Sequence, residues 1–214
     1  MNAFKNNQMF IQIKLKTFLL IATVFAISTI TLAQTKKPAT DYVSVQGPIL
    51  FDGKSYYLNW SSHPTANFYK QEYLVKGDNE SKYKTMILID AITGQQQLKD
   101  VVNAKVAELK KMKESNPVIS YEIIQNPQTG EYMLDFLLTA NATDGSINTI
   151  ERNVYRYKTF TYKAGNNTVM LFGVSTRAYG ATAANQFLIS LKANRKELIK
   201  KVSQFKIPDL NISN

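Results

Sequence analysis

One predicted strand carries the basic and aromatic side chains best suited to contact a ligand. Residues 149–163 read TIERNVYRYKTFTYK, and strand alternation places Arg152 and Arg156 on one face of the sheet. Tyr155 and Tyr157 then lie on the opposite face. Guanidinium groups bind phosphate and carboxylate oxygens through paired hydrogen bonds. The arginine face therefore predicts a site for an anionic ligand or for an acidic patch on a partner.

Arg177 joins this predicted site if the following strand, residues 168–179, folds back alongside. A register centred on the intervening turn places Arg177 opposite Val154, between the two arginines, although a slip of one residue would reverse its face. The alternative is cross-strand ion pairing of the arginines with Glu131 or Glu122. The predicted ligand-binding residues are Arg152, Arg156, Arg177, Tyr155 and Tyr157.

His63 is the single histidine of the chain, and it follows two serines in the sequence SSHP, which we interpret as a loop between two strands. A histidine beside Ser61 or Ser62 could act as the general base of a small hydrolase. A catalytic triad also needs an orienting carboxylate and an oxyanion site, and no hydrolase motif occurs in the sequence. We therefore interpret His63 as a polar loop residue and predict no catalytic residue.

The composition argues against metal, cofactor and nucleic-acid sites. The chain has no cysteine, its nine glycines are spread over turns, and Asp78 with Glu80 offers too few oxygens for a calcium loop. The net charge of +10 comes with many aromatic residues, which is a footprint of nucleic-acid binding. Here the charge is mostly lysine on predicted helix faces. We therefore predict no metal, no cofactor and no nucleic-acid partner.

The N-terminus has the three parts of a secretory signal peptide. Lysines at positions 5, 14 and 16 precede an apolar run over residues 17–32, which closes on the small residue Ala33. The run is shorter than the roughly 20 residues that a membrane-spanning helix needs. We therefore predict that residues 1–33 are a cleaved signal peptide, that no transmembrane span remains, and that the protein is periplasmic or secreted.

Hydrophobic periodicity predicts an α+β fold. Leu98, Val102, Val106 and Leu109 form one stripe of a helix that ends near Ser115. The predicted strands are residues 56–60, 68–75, 83–92, 118–124, 131–139, 149–163 and 168–179, and the predicted helices are 93–115 and 182–204. Short turns between strands favour antiparallel pairing, and two amphipathic helices need an apolar sheet to cover. We therefore expect an antiparallel β-sheet flanked by two amphipathic helices.

The domain boundaries follow from polar and proline-containing segments at each end. Residues 34–47 are predicted to be a flexible lead-in, residues 48–208 a single α+β domain, and residues 209–214 a C-terminal tail. The oligomeric state is left open.

The element order resembles that of the PsbP-like family of exported photosystem and envelope proteins, and this resemblance implies an α/β/α sandwich. Three stretches, YLNWSSHP (57–64), QNPQTGEY (125–132) and ERNVYRY (151–157), are similar to uncharacterised secreted proteins of Bacteroidetes-type bacteria. The sequence lacks a metal cluster, a nucleophile motif and a cofactor loop, which favours a non-enzymatic binding or accessory module of the bacterial envelope, with an anionic envelope component or a protein as partner. The PsbP-like resemblance implies the same. Two alternatives stay open: a small hydrolase using His63, and a small-ligand carrier with a pocket between helix and sheet.

Overall fold

The computed structural model describes residues 38–162 and 166–212, so the predicted signal peptide lies outside the described residues. The described elements, in chain order, are β1 (Ile49–Phe51), β2 (Lys54–Thr65), β3 (Phe68–Leu74), β4 (Thr85–Ile92), α1 (Leu98–Ser115), β5 (Ser120–Gln125), β6 (Tyr132–Asn141), β7 (Ile147–Tyr162), β8 (Asn166–Tyr179) and α2 (Ala181–Gln204). Neither of these helices is both long enough and apolar enough to cross a membrane.

The eight described strands form one sheet with the order β1-β2-β3-β4-β8-β7-β6-β5. Every neighbouring pair is antiparallel. Most of these pairs join strands that follow one another along the chain, as the short turns predict. The pairing of β4 with β8 instead joins the two halves of the chain. The α+β class and the antiparallel sheet with two helices are confirmed.

The two helices pack against opposite faces of the sheet. Val102, Val106 and Leu109 of α1 are buried in a cluster that contains Leu88 and Leu171. Val202 of α2 is buried in a different cluster, which contains Ile87 and Phe172. Because neighbouring residues of a strand point to opposite faces, these two clusters lie on opposite sides of the sheet.

Helix α1 begins later than the sequence pattern predicts. The prediction placed its start at residue 93, whereas the helix begins at Leu98. Gly94 has a φ of 104°, which is a left-handed conformation outside the helical region. The chain therefore turns at Gly94 before it enters the helix.

Both predicted chain-end boundaries need correction for the residues that the structure describes. Val43 and Val45, predicted to lie in a flexible lead-in, are buried. Gln71 Oε1 accepts hydrogen bonds from the backbone N–H groups of Tyr42 at 2.6 Å and Val43 at 3.1 Å. Ile212, predicted to lie in a tail, is also buried, and the Asn211 N–H donates to the Val43 carbonyl at 3.0 Å. These segments are part of the core because their apolar side chains cover the sheet face that α2 leaves open.

Candidate functional site

A cavity of about 290 Å³ lies between α1 and the sheet. Its walls come from α1 and from four strands of the sheet, β3, β4, β7 and β8. The lining residues are Phe68, Lys70, Leu88, Asp90, Ile92, Val101, Lys105, Glu108, Tyr155, Tyr157, Val169 and Leu171. Helix α1 contacts β5 and β7 most closely. It therefore leaves part of the β3 and β4 surface uncovered, and the cavity lies there.

Strand register brings the polar and apolar lining residues into one row. Lys70 of β3 lies opposite Asp90 of β4, and Asp90 lies opposite Leu171 of β8. Leu171 in turn lies opposite Tyr157 of β7. Directly opposite residues share a face of the sheet. The row therefore points toward α1, whose Val101 lines the same cavity.

Asp90 is the polar group whose hydrogen bonding this cavity leaves incomplete. Its Oδ1 atom is buried, and no described residue donates a hydrogen bond to it. Burial raises the pKa of Asp90 to about 7. The positive charges of Lys70 and Lys105 oppose this rise, whereas the negative charge of Glu72 adds to it. A buried acceptor without a donor costs about 1–3 kcal/mol. Asp90 therefore gains from either a proton or a donor group on a ligand.

The two lysines of the cavity differ in what they already contact. Lys105 Nζ lies 2.9 Å from Glu108 Oε1 and 5.5 Å from the centroid of the Phe136 ring. Lys70 Nζ lies 5.7 Å from the centroid of the Phe68 ring. Within residues 38–162 and 166–212, Lys70 forms no ion pair, although Asp90 is its cross-strand neighbour. Lys70 and Asp90 therefore influence each other electrostatically, but neither forms a direct ion pair with a described residue.

Tyr155 and Tyr157 form the aromatic wall of the cavity. A Cβ atom at Gly173 would lie 2.8 Å from Cδ1 of Tyr155, so the ring lies directly over a position where only glycine fits without movement. The Tyr155 ring also packs edge-on against Phe136, with the centroids 4.9 Å apart. Burial raises the pKa of both tyrosine hydroxyls, and the nearby Asp90 raises it further. Both hydroxyls therefore stay protonated at neutral pH.

This arrangement suits a small molecule with an apolar body. Ligand pockets are lined mostly by apolar and aromatic side chains, with a few polar groups that fix orientation. In this cavity the aliphatic and aromatic lining residues supply the apolar surface, and Asp90 and Lys70 supply the polar groups. The cavity volume of about 290 Å³ lies just below the usual range of about 300–1,000 Å³, which suits a ligand smaller than a typical drug.

Of the predicted ligand-binding residues, the tyrosines line this cavity and the arginines do not. Arg152 is buried on the α2 side of the sheet. Its Nε and Nη2 donate to Asp135 at 2.9 and 3.3 Å, and Nη2 also donates to the Arg195 carbonyl at 2.7 Å. Arg195 Nε donates to the same carboxylate at 2.6 Å, and Arg195 also pairs with Glu122. The Arg152 side chain therefore joins β7 to β6 and α2.

Arg156 joins β7 to the C-terminus of α2. Its Nε donates to Glu131 Oε2 at 2.8 Å. Its Nη1 donates to the carbonyls of Ser203 at 2.8 Å and Phe205 at 3.0 Å. A cation there satisfies carbonyls that have no partner within the helix and interacts favourably with the helix dipole. The ion pair with Glu131 is the one that the sequence offered as an alternative to ligand binding.

The prediction that Arg177 shares a face with Arg152 and Arg156 is wrong. Tyr162 pairs with Asn166, and this register places Arg177 opposite Glu151 instead of Val154. The displacement by three positions reverses the face. Arg177 Nε donates to Glu151 Oε2 at 2.6 Å, and its guanidinium lies 4.2 Å from the centroid of the Tyr83 ring. Arg177 therefore lies on the α1 side of the sheet, within a separate ion pair.

His63 lies within strand β2, so its predicted placement in a loop is wrong. Its ring stacks on Tyr69, with centroids 4.2 Å apart and an interplanar angle of 12°. The hydrogen bonds among the described residues include none between His63 and a serine or a carboxylate. Nor do three or more acidic or histidine side chains of the described chain come together where they could hold a metal ion.

Asp90 and Lys70 are functional candidates that sequence reasoning missed. Asp90 is the only polar residue in the run MILIDAI, which forms most of β4. A single carboxylate inside an apolar strand is a signal of an ionisable group in a buried environment. Its pairing with Lys70 could not be read from the sequence because it depends on the register of the β3–β4 hairpin.

A protein-family model matches residues 43–207, and the family is uncharacterised. No curated protein and no solved structure matches the chain.

Proposed function

The chain belongs to this uncharacterised family, and we propose that it is an exported, non-enzymatic module that binds a small molecule in the cavity between α1 and the sheet. The observation that carries the proposal is the buried Oδ1 of Asp90, which has no donor in the described chain. It lies in a cavity whose other walls are mostly apolar, so a ligand with a donor group would satisfy it while burying its own apolar surface.

The export part of the proposal rests on the sequence. The basic, apolar and small-residue segments of positions 1–33 support a cleaved signal peptide. The resemblance to PsbP-like and Bacteroidetes-type secreted proteins supports a place in the bacterial envelope. This environment suits a carrier or sensor of a small molecule.

The cavity favours the small-ligand carrier over the other two functions considered from the sequence. An anion-binding face would need uncommitted arginines, whereas Arg152, Arg156 and Arg177 are each paired with a carboxylate. A hydrolase would need His63 in contact with a serine, whereas its ring stacks on Tyr69.

The proposal is tested with neutral fragments that carry one donor group, for which we choose indole, 4-methylphenol and benzamide. We expect saturable binding of at least one of them to the mature protein in ligand-observed NMR. Val101→Trp places a large side chain in the cavity wall and should weaken that binding at least about tenfold, or about 1.4 kcal/mol.

Asn103→Trp is the matched control, because Asn103 is an exposed residue of the same helix and does not line the cavity. It should bind the fragments as the unaltered protein does. The proposal is wrong if no fragment binds, or if Val101→Trp and Asn103→Trp have the same effect.

A further inference from the structure

The charged groups of the cavity define the kind of ligand that fits it. Lys105 and Glu108 neutralise each other through contacts of 2.9 and 3.0 Å. Lys70 and Asp90 remain, and neither has an ion-pair partner in the described chain. The cavity therefore offers one available positive group and one available negative group.

These two groups lie close together at one end of the lining. Lys70 and Asp90 are directly opposite in the β3–β4 register, which places their Cβ atoms about 4.5–5.5 Å apart. Asp90 Oδ1 is buried, whereas the Lys70 ammonium lies over the ring of Phe68. A ligand with adjacent positive and negative groups could contact both residues.

The rest of the cavity would hold an apolar body. Leu88, Ile92, Val169 and Leu171 supply aliphatic walls, and the rings of Tyr155 and Tyr157 lie among them. An ammonium group near these rings also gains from cation–π attraction, which is worth about 0.5–2 kcal/mol. A ligand with a single charge would leave either Asp90 or Lys70 without a direct ion pair.

We propose that the ligand is a small zwitterion with an apolar body, such as an aliphatic or aromatic α-amino acid. Its ammonium group binds Asp90, its carboxylate binds Lys70, and its side chain fills the apolar part of the cavity. This inference rests on the proposed function of small-molecule binding and adds the chemical class of the ligand.

The test is calorimetric titration of the mature protein at pH 8 with L-phenylalanine, L-leucine and L-valine. Phenethylamine, which lacks the carboxylate of phenylalanine, and 3-phenylpropanoate, which lacks its ammonium group, are the matched analogues. We expect at least one amino acid to bind. We also expect L-phenylalanine to bind at least about tenfold more tightly than either analogue.

Two variants assign the charges to their partners. Asp90→Asn should weaken binding of the amino acid at least about tenfold, whereas binding of 3-phenylpropanoate should be unchanged or tighter because a repelling carboxylate is removed. Lys70→Met should weaken binding of the amino acid similarly, whereas binding of phenethylamine should be unchanged or tighter because a repelling ammonium group is removed. Lys110→Met, at an exposed position of α1, is the control and should bind the amino acid normally. Heteronuclear NMR spectra of each variant establish that it is folded.

The outcomes separate this inference from the proposed function. Two results would show that the ligand is not a zwitterion and would leave the cavity as a binding site. In the first, phenethylamine binds as tightly as L-phenylalanine. In the second, no amino acid binds, whereas indole binds and Val101→Trp abolishes the binding of indole. If neither the amino acids nor the neutral fragments bind, both proposals are wrong.

Discussion

Single side chains on the two faces of the sheet differ in how completely their charges are paired. On the α2 side, Asp135 receives hydrogen bonds from both Arg152 and Arg195. On the α1 side, Asp90 is buried without a donor. The fold depends on a buried ion pair, because removing one partner leaves an uncompensated charge in a medium of low dielectric constant. An unpaired group of the same kind is available to a proton or to a ligand.

Arg152→Gln should lower the free energy of unfolding by about 1.5–3 kcal/mol, because it removes one of the two charged donors of the buried Asp135 and leaves only the partly exposed Arg195. Urea unfolding at pH 7 measures this change. Lys192→Gln, at an exposed position of α2, is the control and should change stability by less than about 0.5 kcal/mol. Equal effects of the two substitutions would contradict the structural role of Arg152.

Asp90→Asn should change stability in a pH-dependent manner. The pKa of Asp90 is about 7 in the folded protein, above its ordinary value, so between about pH 4 and 7 the folded state binds more protons than the unfolded state. The contribution of Asp90 to stability is therefore full at low pH and is lost as the pH rises through 7. Asparagine does not titrate.

The free energy of unfolding of Asp90→Asn, minus that of the unaltered protein, should consequently increase by about 2–4 kcal/mol between pH 4 and pH 8. Urea titrations across this range measure the difference, in which the other titrating groups largely cancel. A constant difference would show that Asp90 ionises as readily in the folded protein as in the unfolded one.

At the scale of elements, hydrophobic periodicity was enough to predict both helices and most strands. The stripe of α1 contains Val102, Val106 and Leu109, and all three are buried as predicted. Periodicity shows which residues share a face of a strand, but it does not show the register between strands. The β7–β8 turn therefore produced the error at Arg177, and the pairing of Lys70 with Asp90 was not foreseen.

Leu109→Ala should lower the free energy of unfolding by about 2–5 kcal/mol, because Leu109 is fully buried and the substitution leaves a cavity under α1. Ile189→Ala is the control on the other helix, since 71% of Ile189 is exposed, and it should cost less than about 0.5 kcal/mol. Chemical denaturation of both variants checks the comparison. A loss well below 1 kcal/mol for Leu109→Ala would mean that α1 does not pack as described.

Gly173→Ala should displace the ring of Tyr155, because the added Cβ would lie 2.8 Å from Cδ1 of that ring. Forcing an extra methyl group into a packed site costs about 1–3 kcal/mol, and here it also narrows the wall of the cavity. We expect reduced stability and weaker fragment binding. Asn103→Ala, at an exposed position of α1 outside the cavity, is the control and should change stability by less than about 0.5 kcal/mol and leave fragment binding unchanged.

At the scale of the whole molecule, one antiparallel sheet separates two sites of different character. The α2 side is covered by the helix and by the terminal residues Val43 and Ile212, and it holds buried ion pairs and two smaller cavities of about 270 and 260 Å³ along the helix. The α1 side is only partly covered and contains the cavity in which the Asp90 carboxylate lacks a donor for Oδ1 among the described residues. Length and patterning predicted one α+β domain, but the packing of the terminal residues depends on tertiary contacts that sequence polarity alone does not reveal.

The central claim is that the protein binds a small molecule between α1 and the sheet, and amide chemical-shift mapping by two-dimensional NMR tests it most directly. Titration with the fragment that binds most tightly among indole, 4-methylphenol and benzamide should give saturable shifts at Lys70, Asp90, Val101 and Tyr157, which line the cavity. Amides of α2, such as those of Ser190 and Arg195, pack on the opposite face of the sheet and should not move. Shifts that centre on the α2 face, or that fail to saturate at any site, would contradict the account.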